Sequence, residues 1–140
     1  MIATALVISL NAFVIPEAWV DAVEQIESGG EAVSGDNGLA SGSFQFHFAT
    51  WNECSWLRKE AGLPVYAYDE AMDKVKAREY AHTWLSHIYL VLNKKYKRPP
   101  TLGEVWIAYN LGMTGFSKYN YSINHVRGWR KKKALYLNKL

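Results

Sequence analysis

Cysteine is almost missing from this chain: Cys54 is the only one in 140 residues. A lone thiol excludes an internal disulfide and a cysteine-built zinc site, so the fold has to be held by its apolar core. Cys54 itself reads as a buried, inert thiol. The histidines do not supply a metal site in its place. His47, His82, His87 and His125 lack metal-ligand spacing, and His82 and His87, five apart, fall on different faces of a helix. No internal repeat and no low-complexity linker is present, which excludes a solenoid or a chain of tethered modules. Long apolar runs are missing too. The opening "MIATALVISLNAFVIP" is short of the roughly 20 residues that a membrane-crossing helix needs. It resembles the apolar part of an export signal, but no Lys or Arg precedes it and no A-x-A site follows. Residues 1–14 are therefore read as an apolar N-terminal segment, either a leader remnant or a buried strand or helix.

What the chain does contain is a globular balance: 49% hydrophobic and 21% charged residues, too apolar for a disordered polymer. The length suits one domain, over residues 15–140. Six Trp and nine Tyr are many for this size. Some must fill the core, and the others are available to line a groove that stacks flat substrates such as sugar rings or bases. The net charge of +3 and the pI near 8.9 are compatible with a polyanionic partner and equally with a solvated surface.

The pattern along the chain is mostly helical. Pro16 suits a first helical turn. Ile15, Trp19, Ala22, Val23 and Ile26 follow as one apolar stripe, and Ser28-Gly29-Gly30 ends the helix, leaving Glu27 in its last turn. Residues 31–46 lose the helical period. "SGDNG" is turn chemistry and "SGSFQF" reads as a short strand, so a small hairpin or β-flap is expected here. A helix resumes near Thr50 and ends around Gly62-Leu63-Pro64. Asp69 is placed to cap a long helix to about Tyr96, with Ala77, Ala81, Trp84, Leu85, Ile88, Val91 and Leu92 on its inner face. "KKYKRPP" closes it. In "TLGEVWIAYNLG", Thr101 and Glu104 form a capping box, Leu102, Val105, Trp106 and Tyr109 a stripe, and Gly112 a C-cap. A basic helical segment follows over residues 123–138. The expected class is α+β, mostly helical, with one small β interruption.

The interruption, "IESGGEAVSGDNGLASGSFQF", gathers Glu27, Glu31 and Asp36 among five glycines. Glu27 lies at a helix C-terminus on the edge of an apolar stripe. The negative end of the helix dipole and partial burial both disfavour an ionised carboxylate there, which is the condition a general acid requires. Asp36 sits in a polar turn whose donors favour a charged carboxylate. One acid kept neutral beside one kept charged is the arrangement used in glycoside hydrolysis. The plainer readings are a solvated helix-end Glu27 and a turn-forming Asp36. Glu31 reads as a surface charge. "GDNG" lacks the register of a calcium loop.

These residues resemble the lysozyme and lytic transglycosylase superfamily, over roughly residues 16–130. Three anchors occur in order: the helix end "VEQIESGG", the segment "GLASGSFQF", and the helix "IAYNLG". The order "DNG", "GSFQF", "TWNE" is most similar to invertebrate-type lysozymes. The chain departs from those in having a single Cys, where they are dense in disulfides, and in a shorter loop between Glu27 and Asp36. The resemblance implies a small lysozyme-like α+β domain with a cleft, cutting the N-acetylmuramic acid–N-acetylglucosamine backbone of peptidoglycan. It makes Glu27 the catalytic acid and Asp36 the second carboxylate. Ser43 and Gln45 would bind sugar from the flap, and Tyr109 and Asn110 would lie across the cleft, with Tyr109 equally able to be core. It implies no metal and no cofactor, glycan strands as the partner, no nucleic acid, a monomer, and a secreted or cell-envelope location. "AYN-x-G" points instead to a lytic transglycosylase, which uses one Glu and yields 1,6-anhydro sugars. Outside enzymology, the chain reads as a lysozyme-like glycan binder that does not cut, or as an anionic-surface or nucleic-acid binder through Arg127, Arg130, Lys131, Lys132 and Lys133 beside Trp129.

Overall fold

The computed structural model describes residues 15–140, so the apolar segment 1–14 lies outside the described residues. The fold is α+β and mostly helical, with one small three-stranded antiparallel sheet. The chain divides into two compact units, one ending at Ser86 and one running from His87 to Leu140.

The first unit begins with α1 (Glu17–Ser28), which buries Val20 and Val23. Gly29 ends it in the left-handed conformation, its N–H donating to Gln25 O, as the glycine pair leads one to expect. Three two-residue strands follow: β1 (Ser34–Gly35), β2 (Ala40–Ser41) and β3 (Phe46–His47). They pair in chain order, with Ser34 opposite Ser41 and Ala40 opposite His47. Next comes α2 (Phe48–Glu60), starting two residues before the expected Thr50.

Beneath the flap lies an aromatic core. Trp51 is fully buried and stacks on Tyr80 with ring centroids 3.7 Å apart, while Phe46 meets Trp51 edge-on at 5.2 Å. The polar edges of these rings are satisfied locally. Trp51 Nε1 donates to Tyr66 O at 2.9 Å, and the Tyr80 hydroxyl shares a 2.6 Å hydrogen bond with Ser55 Oγ. Much of the aromatic surplus in this unit is therefore core. Cys54 is buried here as expected, and burial pushes its thiol far up, away from reactivity.

The long helix α3 (Lys74–Tyr96) corrects one reading. Its cap is Asp73, whose Oδ1 accepts from the N–H groups of Val75 and Lys76, each at 3.0 Å. Asp69 instead belongs to a preceding 3-10 turn, Tyr68–Met72. Both acids carry suitable side chains; only the one directly before the first helical residue can reach the free N–H groups.

The second unit holds the end of α3, α4 (Leu102–Ser117) and α5 (Trp129–Leu137), with α4 and α5 packed together. The capping box is present: Glu104 N–H donates to Thr101 Oγ1 and Thr101 N–H to Glu104 Oε1. The helical path breaks at Gly112 (φ 78°, ψ 159°), but helix resumes beyond it, so Gly112 is a kink within α4 rather than its C-cap.

Glu104 is buried and receives both ends of the Arg98 guanidinium, at 2.9 and 2.8 Å. Burial alone would raise its carboxyl. The Arg98 pair and the Thr101 N–H outweigh burial and hold it below the usual carboxylate range. A carboxyl lower in the folded than in the unfolded chain stabilises the fold above its unfolded value and loses that contribution as pH falls through the folded one. Glu104→Gln is therefore expected to cost about 1–3 kcal/mol at neutral pH. In thermal melts against pH, the gap between parent and variant should close below about pH 4. A gap independent of pH would remove the assignment.

Candidate active site

Glu27 lies half-buried in the last turn of α1, where the helical stripe ends and the chain turns toward the flap. Two neighbours tie that turn to the flap. Glu24, one turn earlier, accepts a 2.6 Å hydrogen bond from Ser43 Oγ. Ser28 Oγ donates to Ser43 O at 2.6 Å and accepts from Gly30 N–H at 3.1 Å. Ser43 thus makes both links, one through its side chain and one through its carbonyl. It is fully buried and acts as a bolt between helix and flap.

Gln45 is also built into the flap. Its Nε2 donates to Val33 O and to Gly42 O, both at 2.9 Å, so both amide hydrogens stay on flap backbone. These bonds hold a residue whose φ of +53° is unusual for a side chain of this kind.

Asp36 and Asn37 carry the turn between β1 and β2, both with positive φ, a conformation these residue types tolerate. The Asp36 side chain is 60% exposed and lies 3.2 Å from His47 Nε2 at the end of β3. This pairing closes the flap at its outer edge. Glu31 is exposed, as a surface charge should be.

On the far side of Glu24 a cavity of about 430 Å³ is lined by Glu24, Lys74, Val75, Arg78, Glu79 and His82. Across α1 and the start of α3, Arg78 donates to Glu17 and Asp21 at 2.6 Å, and His82 Nε2 lies 2.7 Å from Glu17 Oε1. This network fixes α1 in place. Among the described residues no group of three or more His, Cys, Asp or Glu is disposed to hold a metal ion.

The other two predicted residues lie in the second unit. Tyr109 and Asn110 are half-buried in α4, and Asn110 Oδ1 accepts a 2.7 Å hydrogen bond from Arg130 Nε of α5. The structure therefore brings Glu27, Ser43, Gln45 and Asp36 onto one helix end and flap, and gives Asn110 a helix-pairing role. Sequence reasoning missed Glu24, Ser28 and His47. Glu24 had a signal: three residues before Glu27, it shares that face of the helix. Ser28 and His47 act through partners 15 and 11 residues away, which no local pattern reveals.

No protein-family model matches this chain, and neither a curated protein nor a solved structure matches it.

Proposed function

We propose that the chain is a peptidoglycan-cleaving glycosidase of lysozyme-like type, with Glu27 as general acid. The observation that carries this reading is the placement of Glu27: half-buried, in the last turn of α1, on a turn bolted to the flap through Glu24, Ser28 and Ser43. A carboxyl so held donates its proton to the glycosidic oxygen as the bond breaks. Positive charge then develops on the sugar ring, and Asp36 is the carboxylate that stabilises it or attacks it. Water completes hydrolysis. The ordered motifs "ESGG" and "GSFQF" support the same reading, while "AYNLG" points to the transglycosylase alternative.

One observation favours a second reading. Asp36 is paired with His47 and largely exposed, a poor setting for a nucleophile. A lytic transglycosylase needs only Glu27: it protonates the leaving oxygen, then as carboxylate takes the proton of the sugar's own 6-hydroxyl, which closes onto the anomeric carbon. Mass spectrometry of digested peptidoglycan separates the two. Hydrolysis yields reducing ends carrying one water more than the anhydro ends of transglycosylation. Asp36→Asn is the matching variant. The hydrolytic reading expects a loss of roughly 100-fold or more. Near-parental activity with anhydro products would transfer the assignment to the second reading.

A further inference from the structure

The two units carry opposite charge. Through Ser86 the chain has five Lys and Arg against twelve Asp and Glu; from His87 onward it has eleven against one. After Glu104 no acid occurs at all, and seven cations follow. Such segregation is not required by the fold, and it concentrates a positive field on the unit that carries α5.

Helix α5 adds an unusual surface to that field. It buries Ala134 and Leu137 against its own unit and turns Trp129 and Tyr136 outward, 51% and 58% exposed. These two aromatics are seven residues apart, two helical turns, and share one face. Lys132 and Lys133, both exposed, flank the line they form. Lys133 Nζ and Arg130 Cζ sit over the Trp129 ring at 5.1 and 4.4 Å. Leu135 and Leu140 are exposed nearby, Leu140 at 70%. Bare lysines would suit any polyanion. An outward line of Trp and Tyr edged by Lys has a more specific use. Ring bodies enter the headgroup layer of a bilayer while the lysine stems lie along them and keep their ammonium groups at the phosphates.

We propose that the exposed face of α5 docks the protein on an anionic phospholipid surface, with Trp129 and Tyr136 entering the interface and Lys132, Lys133 and Lys139 pairing with lipid phosphates. Attachment is peripheral, since no helix among the described residues is long and apolar enough to cross a membrane. Charge complementarity selects anionic over zwitterionic lipid. Two rings two turns apart on one exposed face suit a flat bilayer interface; a nucleic acid, whose bases would stack on Trp129, is the competing outcome that the test separates.

The test is co-sedimentation of the full chain with vesicles of phosphatidylglycerol mixed with phosphatidylcholine, against phosphatidylcholine alone, with an oligonucleotide measured in parallel at the same ionic strength. Binding is expected only to the anionic vesicles, weakening as salt rises. Lys132→Gln with Lys133→Gln should weaken it roughly 20-fold. Trp129→Ala with Tyr136→Ala should weaken it roughly 10-fold at constant charge. Trp129 also meets Trp106 edge-on at 6.3 Å, so Tyr136→Ser, at a site without that contact, serves as the second variant and should weaken binding several-fold. Glu27→Gln should bind vesicles as the parent does, which keeps this result separate from the glycosidase reading. No vesicle binding, tighter binding to the oligonucleotide, or full binding by the aromatic variants would each overturn the proposal.

Discussion

Glu27→Gln is expected to abolish cell-wall lysis, a loss of roughly 10²–10⁴-fold in turnover, while leaving the fold intact. The substitution keeps the shape of the side chain and removes only its ability to give up a proton. Glu27 is half-buried at the end of α1, glutamine is isosteric with it, and Glu24, Ser28 and Ser43 also link this turn to the flap. The far-ultraviolet spectrum and melting temperature should therefore stay close to those of the parent. Lysis is measured as clearing of a peptidoglycan suspension and checked by counting new glycan ends in the digest. Both readings of the chemistry, hydrolysis and transglycosylation, require this outcome. Near-normal cleavage by the glutamine variant would sink both and assign the proton donor to another residue; no cleavage by the parent would leave the chain as a glycan-binding protein at most.

The largest expected effect on stability comes from Trp51→Ala, about 3–5 kcal/mol. Trp51 is fully buried, stacks on Tyr80, meets Phe46 edge-on and donates to Tyr66 O. Truncation opens a cavity beneath β3, and Tyr80 on α3 loses its stacking partner. The Tyr66 carbonyl loses its closer donor and keeps only the Tyr80 hydroxyl, at 3.3 Å. A typical domain is stable by only about 5–15 kcal/mol, so this one change approaches the whole margin. Urea unfolding followed by circular dichroism measures it. Trp51→Phe keeps a ring in the stack and should cost less. An alanine variant within about 1 kcal/mol of the parent would mean that the aromatic cluster does not hold this unit together.

Elements with strong periodicity were legible in the sequence. The stripe through Val23 with glycine behind it marks α1, and Thr101 with Glu104 marks the start of α4, because caps and stripes are set by residues three or four apart. The choice of Asp69 over Asp73 as a cap failed for a local reason. Both fit the composition of a helix start, and the 3-10 turn Tyr68–Met72 that takes up Asp69 leaves Asp73 facing the free N–H groups. Within the flap, the presence of a hairpin was legible from "SGDNG", whereas the tasks of Ser43 and Gln45 were not. Ser43 meets Glu24 across 19 residues, and Gln45 reaches back 12 residues to Val33. Polar residues in a glycine-rich loop look like ligand contacts until the backbone they hold is in view.

Arg58 shows the same limit from the opposite side. It is buried, yet its charge suggests a surface residue. Its guanidinium donates to Pro64 O, Glu79 O and Thr83 Oγ1 and lies over the Tyr80 ring at 5.0 Å. Glu79, Tyr80 and Thr83 all lie on α3, 21 or more residues along the chain, so no local window of sequence predicts the cluster.

The bolt formed by Ser43 has a consequence for timing. A flap joined to its helix only by a flexible loop would have to fold down over each incoming sugar strand and lift again for release, and that motion would limit the catalytic cycle. Here the Ser43 hydroxyl is held by Glu24, and the Ser43 carbonyl by Ser28, on either side of Glu27. The ordering cost of this edge is met when the chain folds rather than at each encounter with a polymer. On the glycosidase reading proposed above, this border is a fixed rail: a long strand would slide past it and present successive linkages to one stationary proton donor, without waiting for a gate.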